Sequence, residues 1–216
     1  MKHLAIILCW SLVTTFSVGQ EDPTLETVVQ EVIDKYQKAE ALKLDFQFQL
    51  SYPEQEPQIF EGIFYKLGDA YKVDLEDYSI YADGRVQHTV HKQAKEIQIT
   101  TIDAGSIELS SPAGVLKYLE DQKFRYFDQS GLNQGGQSLR IIELIPTDQS
   151  SEYFKIRFSF TARTKDIKYI EIFARDGQRI QLTVGSTSFT GNFPRNTVVW
   201  NSENYKDYYI EDLRID

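Results

Sequence analysis

The feature that most limits how this chain can fold is a series of short segments in which apolar and polar residues alternate. In residues 42–50 ("LKLDFQFQL") every second side chain is apolar, and residues 154–160 ("FKIRFSF") repeat the pattern. Successive side chains of a strand point to opposite faces, so each segment predicts a strand with one buried and one wet face. Such alternation is typical of antiparallel sheets.

Further segments of the same kind are separated by turn residues, among them Gly68-Asp69, Asp83-Gly84 and Asp176-Gly177. Short apolar runs bounded by such turns predict hairpin-connected strands, roughly ten in all. They lie at three or four places within residues 60–85 and at residues 86–90, 96–102, 139–145, 153–162, 167–174 and 179–187. Residues 189–209 are irregular and rich in Asn and aromatic side chains.

Two segments follow the helical period instead. Residues 24–39 place an apolar stripe on one helical face, at Leu25, Val28, Val29, Val32, Ile33 and Tyr36. Ser111-Pro112 is a cap followed by a first-turn proline, and Val115, Leu116 and Leu119 give the second helix a short apolar edge. The predicted fold class is therefore mainly β (α+β), an antiparallel sheet curled over two helices.

The first 19 residues predict a secretory signal peptide. A short basic start is followed by an apolar run from Leu4 to Val18, and small residues precede a cleavage site before Gln20. A transmembrane anchor is the alternative, but the run is shorter than the roughly 20 residues that span a bilayer. Cys9 lies within this run without a lipidation pattern, so we expect a periplasmic protein that is not lipid-anchored, with residues 20–216 as one domain.

Charge narrows the classes of partner. Removing Lys2 with the first 19 residues leaves 22 basic against 32 acidic side chains, a formal net charge of −10. A net negative chain with no cluster of Lys and Arg argues against nucleic acid and against anionic membrane surfaces.

The polar residues offer little for catalysis. His88 and His91 are three apart in a predicted strand, so their side chains point to opposite faces and cannot share a metal ion. Asp74, Glu76, Asp77 and Asp83 resemble the wet face of a strand more than a catalytic carboxylate pair. No nucleophile motif, phosphate-binding loop or cysteine set is present in the sequence. We expect no enzyme activity, no cofactor and no metal.

Aromatic and apolar strand positions are abundant, with 13 Phe and 13 Tyr in the chain. The simplest interpretation is a sheet face packed on the first helix. Two short helices, however, offer limited area to cover roughly ten strands. Either the sheet closes on itself or it leaves an apolar cavity.

Several motifs, in order, resemble those of the LolA family of periplasmic outer-membrane lipoprotein carriers, in its Bacteroidetes-type form. They are the amphipathic first helix and the segments "FQFQL", "GIFYKLGDAYKVDL", "IYADGRVQHTVHKQAKEIQI", "SPAGVL", "KFRYF", "IIELIPT", "YFKIRFSF", "ARDGQRIQLTV" and "DLR". They extend over nearly all of residues 20–216, and the strand, "DG", strand unit followed by a hairpin and an "SP" helix is the most specific.

This resemblance implies an incomplete antiparallel β-barrel whose helices form a lid over an apolar cavity. It implies a monomeric carrier that takes acylated lipoproteins from the inner-membrane LolCDE transporter to an outer-membrane acceptor, LolB-like or of another kind, without covalent chemistry. The residues implied to bind lipid are Phe46, Phe48, Phe64, Tyr71, Leu75, Ile97, Ile99, Leu116, Leu119, Phe158 and Phe160.

One position departs from the family pattern. Proteobacterial members have Phe-Arg where this chain has Tyr71-Lys72, and that arginine is understood to hold the lid through hydrogen bonds. Lysine keeps the charge but lacks the planar fork of donors. Lys72 is thus the candidate lid latch.

Three alternatives remain on the same sequence. A LolB-like acceptor requires a lipidated amino-terminal cysteine, which the sequence does not indicate. A non-transporting periplasmic sensor or scaffold domain, or a carrier of another lipid, could use the same fold. A secreted hydrolase would need a nucleophile and a base, and the sequence indicates neither.

Overall fold

The computed structural model describes residues 23–102, 109, 111–130 and 139–214, so the predicted signal peptide lies outside the described residues. The helices are α1 (Pro23–Gln37) and α2 (Pro112–Asp121). The strands are β1 (Ala41–Ser51), β2 (Gln58–Leu67), β3 (Ala70–Leu75), β4 (Tyr78–Ala82), β5 (Val86–His91), β6 (Glu96–Thr101), β7 (Phe124–Asp128), β8 (Leu139–Pro146), β9 (Tyr153–Thr161), β10 (Ile167–Ala174), β11 (Arg179–Ser188) and β12 (Tyr209–Asp212).

All twelve strands belong to one sheet, in the order β12-β6-β5-β4-β3-β2-β1-β11-β10-β9-β8-β7. Strand β1 lies in the middle and joins two meanders, because it pairs with β2 on one side and with β11 on the other. Strands β7 and β12 form the two edges, so the sheet is open. The predicted mainly β class with an unclosed sheet and two helices is confirmed. Two short strands, β7 and β12, were not predicted.

Every neighbouring pair is antiparallel except β12 and β6, which are parallel. This exception arises because β12 follows a long connection from β11, residues 189–208, which we call the C-terminal strap. The strap contains two short 3-10 helices, Arg195–Thr197 and Ser202–Tyr205. It brings the chain from the end of β11, near the middle of the sheet, to the edge strand β12 beside β6.

Helix α1 forms because its apolar residues recur at helical spacing and find a buried surface. Leu25, Val29, Val32, Ile33 and Tyr36 are each at most 1% exposed. At about 1.5–3 kcal/mol for a fully buried large side chain, this one face stabilises the packed helix by roughly 10 kcal/mol.

Helix α2 begins as its sequence predicts. The Ser111 hydroxyl accepts a hydrogen bond from the Gly114 N–H at 3.1 Å, and Pro112 stands in the first turn. This cap uses one of the backbone donors that a helix start leaves unpaired. Gln37 of α1 donates a hydrogen bond to Glu120 of α2 at 2.8 Å, which links the two helices.

Strand alternation gives the sheet two faces of different character. Along β3, Val73 and Leu75 point to the side covered by the helices, which we call the helix-side face. Lys72 and Asp74 point the other way, to the outer face, where Trp200, Tyr205 and Tyr208 of the C-terminal strap lie. Phe189, at the start of the strap, packs against Tyr36 on the helix side.

Candidate functional site

The helix-side face carries one continuous apolar cluster, which we call the interior. It extends over strands β1 to β4 in one half of the sheet and over β7 to β11 in the other half, and it includes the buried stripes of α1 and α2. Nine predicted lipid-binding residues meet there, with Tyr71 half-buried at its margin. They are Phe46, Phe48, Phe64, Tyr71, Leu75, Leu116, Leu119, Phe158 and Phe160.

The central strand β1 supplies two of the interior rings. Phe46 and Phe48 are two residues apart and meet edge to face with ring centroids 5.8 Å apart. Gly62, which pairs with Phe46 on β2, makes room for the ring. A Cβ atom at Gly62 would lie 2.6 Å from the Asp74 carbonyl oxygen and 3.0 Å from the Phe46 ring. The glycine is therefore part of how the interior is packed.

The interior is filled by its own side chains. Phe158 and Phe160 are 0% exposed and Phe64 is 2% exposed, so almost no water-sized space touches these rings. Their neighbours are at van der Waals contact, as in any protein core. An acyl chain could reach these residues only after helices or side chains had moved.

Ile97 and Ile99 lie elsewhere. They belong to β6 and point to the outer face, where Ile97 is 0% exposed in a second cluster with Tyr81 and Val90. Because side chains alternate along a strand, Gln98 takes the helix-side direction at this strand. The structure therefore does not bring these two isoleucines together with the other predicted residues.

Lys72 also lies on the outer face, one position from Tyr71 on the helix side. Its ammonium group is 2.9 Å from an Asp74 carboxylate oxygen and 5.2 Å from the centroid of the Tyr81 ring. These contacts are across the sheet from α1 and α2, because strand alternation separates residues 71 and 72. The environment of Lys72 is thus different from the lid contact that the family resemblance implied.

Asp74 makes several polar contacts on the outer face. It accepts hydrogen bonds from the Ser79 hydroxyl at 2.6 Å and from the ammonium groups of Lys72 and Lys92. Burial opposes its ionisation, but these hydrogen bonds outweigh burial and hold the pKa of Asp74 below its usual value. The outer face therefore contains a partly buried, ionised carboxylate with two cationic partners.

Helix α1 is attached to the turn between β9 and β10. The Ile167 N–H donates a buried hydrogen bond of 3.0 Å to the Tyr36 hydroxyl, and burial raises the pKa of Tyr36. Lys35 forms an ion pair of 2.6 Å with Asp166, and Lys165 forms one of 2.5 Å with Glu31. Sequence reasoning missed these attachments because the partners lie far apart in the chain. Only Tyr36 could have indicated such a contact, because it is the one residue of the apolar stripe that has a hydrogen-bonding group.

The C-terminal strap packs against the outer cluster through stacked rings. Trp200 lies on His88 with centroids 4.5 Å apart and on Tyr205 with centroids 4.9 Å apart. The Tyr205 and Tyr81 hydroxyls are hydrogen-bonded at 3.0 Å. His91 points to the opposite face, since it lies three residues from His88 in the continuous strand β5.

Open grooves occur on the outer face of the sheet. One of about 500 Å³ lies over the middle of the sheet, and its walls combine polar side chains with backbone and apolar surface. The residues that line this groove are Asp45, Phe46, Gln47, Glu61, Gly62, Ile63, Thr183 and Gly185. Among the described residues, no group of three or more His, Cys, Asp or Glu side chains is placed to hold a metal ion.

No helix in the described part of the chain has the length and apolar character needed to cross a membrane.

Comparison with known proteins gives a likeness of structure alone. No protein-family model matches the sequence, and no curated protein sequence matches it. An uncharacterized conserved protein from Thermus thermophilus is 9% identical with a TM-score of 0.56, over 88% of this chain and 99% of that one.

Two further structures are similar at lower TM-scores. A putative outer membrane lipoprotein-sorting protein domain from Vibrio parahaemolyticus is 14% identical with a TM-score of 0.43, over 84% of this chain and 97% of that one. A LolA superfamily protein from Nitrosomonas europaea is 9% identical with a TM-score of 0.42, over 79% and 97% of the two chains.

The class that fold and site define is a mainly β protein whose open twelve-stranded sheet carries a helix-covered apolar interior. The Thermus thermophilus protein shares this fold over nearly its whole length.

Proposed function

We propose that this chain binds an acyl chain of a lipid or lipoprotein in its interior and carries it through an aqueous compartment. The observation that carries the proposal is the continuous apolar face of an open sheet, covered mainly by α1 and α2, with Leu109 and Phe189 also packed on it. When the helices move away from such a face, its apolar surface can bind the apolar surface of a ligand instead. No covalent step is part of this function.

The energy available for binding is large. Each buried CH₂ group contributes about 0.8 kcal/mol, so an acyl chain of about 16 carbons in water costs on the order of 10 kcal/mol. A free acyl chain therefore needs a protein cover to cross water. The interior supplies aromatic and branched aliphatic side chains for that purpose.

The same arithmetic makes opening of the interior feasible. The apolar face of α1 contributes roughly 10 kcal/mol to its packing, which is comparable with the burial of one acyl chain. The two ion pairs between α1 and the β9–β10 turn involve partly exposed groups and contribute about 0–1 kcal/mol each. A ligand that takes the place of α1 thus recovers most of what displacement of the helix costs.

The motif resemblance supports a finer form of the proposal. In that form the cargo is an acylated lipoprotein, received in the periplasm from the LolCDE transporter and delivered to an outer-membrane acceptor by a monomer. The predicted signal peptide supports this location.

The decisive experiment is to co-express the full chain with a triacylated lipoprotein and analyse what co-purifies by mass spectrometry. Stoichiometric lipoprotein supports the finer proposal, and a free phospholipid or fatty acid supports the broader one. Absence of any acylated molecule, together with no binding of a purified triacylated lipopeptide, would contradict both.

A pair of neighbouring variants places the binding site. Tyr71 lies half-buried at the margin of the interior, where a charge is tolerated better than in the core. Tyr71→Lys should weaken lipopeptide binding by about tenfold, which corresponds to about 1.4 kcal/mol. Lys72→Met, one position away on the outer face, should leave the affinity unchanged. Equal effects of the two variants would place the lipid elsewhere.

A second function is favoured by one observation. The interior rings are buried by their own neighbours, with Phe158 and Phe160 at 0% exposure. A permanently packed interior suits a sensor or scaffold domain that does not transport lipid. Amide hydrogen exchange distinguishes the two: a carrier should show faster exchange in α1 than in β9 and β10 and a change upon adding lipopeptide, whereas a scaffold should show neither.

A further inference from the structure

The histidines of the "HTVH" segment have separate environments, and only His88 stacks on the C-terminal strap. His88 lies flat against Trp200, with an interplanar angle of 11°. Trp200 in turn lies flat against Tyr205 at 7°, so the three rings form one continuous stack. The strap is thus held on the outer face by a column of rings that begins at a titratable imidazole.

The imidazole of His88 has an environment that suits its neutral form. It is half-buried, and no described residue makes a hydrogen bond or an ion pair with its ring. A protonated ring would present two N–H donors without a protein acceptor. Stacking on Trp200 favours the cation in part, but burial next to an apolar cluster opposes it.

Charged and titratable groups surround this ring on several elements. Asp83, in the turn before β5, and Asp212, on β12, favour protonation, whereas Arg214 opposes it. Tyr81 on β4 and Tyr205 on the strap are uncharged at neutral pH, as tyrosines ordinarily are, and burial raises their pKa values further. Lys72 and Asp74 on β3 are paired with each other beyond Tyr81. Burial is the largest influence, and the pKa of His88 lies below its ordinary value.

We propose that the C-terminal strap is a pH-sensitive cover, docked on the outer face while His88 is neutral and released when His88 gains a proton. Release would uncover the apolar cluster of Tyr81, Val90, Ile97 and Ile99 that Trp200, Tyr205 and Tyr208 now protect. The strap thereby becomes a conformational switch on the face opposite the interior.

The direction of the effect follows from linkage. The docked state binds the proton more weakly than the released state, because docking buries the imidazole. Docking is therefore fully favourable above the pKa of the released histidine, about 6.5. It weakens as the pH falls through and below that value.

The test uses the emission wavelength of Trp200 in the full chain carrying Trp10→Phe, so that Trp200 is the only tryptophan. As the pH falls from about 7.5 to about 5, on either side of the ordinary histidine pKa, the emission should move to longer wavelength as the indole enters water. The His88→Gln variant should lose this shift, and the matched His91→Gln variant should keep it. A shift that persists in His88→Gln, or no shift in the parent protein, would overturn the proposal.

A second measurement covers the case in which His88→Gln releases the strap at every pH. The pKa of His88, measured by NMR titration of its ring carbon–proton signals, should rise in Trp200→Ala relative to the parent chain. Coupling between docking and protonation must be reciprocal, so an unchanged or lower pKa in that variant refutes the switch.

Discussion

The two faces of the sheet are formed by the same strands, but different interactions hold the segment that covers each face. The helix-side face is covered by α1 and α2 through a broad apolar cluster that spans most of the sheet. The outer face is covered near β3–β6 by the C-terminal strap, through stacked rings and a hydrogen bond between the Tyr205 and Tyr81 hydroxyls. The first cover depends on buried area, and the second on a few specific contacts.

This difference determines how each cover can be removed. A cover held by buried area is displaced by a ligand that offers equivalent apolar surface. A cover held by a few rings and hydrogen bonds responds to a single change of charge. We therefore expect lipid to act on the helices and pH to act on the strap.

The largest change in the free energy of unfolding is expected from a substitution in the interior. Phe158→Ala removes a ring that is 0% exposed and leaves a cavity, so it should lower the free energy of unfolding by about 3–5 kcal/mol. Phe154→Ala, four residues earlier and 41% exposed, should cost no more than about 1.5 kcal/mol. Urea denaturation of both variants measures the contrast, and equal losses would mean that the interior is not closely packed.

A matched pair of tyrosines compares the hydrogen bonds of the two covers. Tyr36→Phe leaves the buried Ile167 N–H without its acceptor and should cost about 1–3 kcal/mol. Tyr205→Phe keeps the ring stack and removes the hydrogen-bond partner of the Tyr81 hydroxyl, so it should cost about 0.5–1 kcal/mol. If Tyr205→Phe proved the more damaging in urea denaturation, the strap would be the more tightly held cover.

Lys72 tests whether the faces act independently. Lys72→Met removes one partner of Asp74, which keeps Ser79 and Lys92, so the loss of stability should be about 1 kcal/mol. Binding of a triacylated lipopeptide should not change, because the residue points away from the interior. A large change in lipopeptide release with stability retained would instead support the latch role implied by the family resemblance.

The smallest expected effect is the contribution of Asp74 to the stability of the protein at low pH. The pKa of Asp74 is lower in the folded than in the unfolded chain, so its contribution is fully present above the unfolded pKa of about 3.9 and disappears as the pH falls through the folded pKa. Asp74→Asn should flatten the decline in stability between about pH 5 and pH 2, by less than about 1 kcal/mol. Urea midpoints across this range measure it, and an unaltered slope contradicts the assignment.

Local sequence patterns were enough to predict most of the elements and the direction of most side chains. Alternation in residues 42–50 and 154–160 predicted strands whose apolar faces are now seen in one interior, except for the exposed Phe154, and the cap at Ser111 predicted the start of α2. These are local properties, because a strand or helix period is written in adjacent residues. The edge strands β7 ("FRYFD") and β12 ("YIED") lack a strict alternation of apolar and polar residues, so no such period marked them.

The face that each apolar stripe joins depends instead on the order and register of the strands. Ile97 and Ile99 carry the same alternation as Phe46 and Phe48, but the successive pairings from β1 to β6 assign them to the outer face. The same pairings separate Lys72 from the helices and give it Asp74 instead. A local period reveals that a side chain is buried, whereas its partner is fixed only when distant parts of the chain meet in the folded sheet.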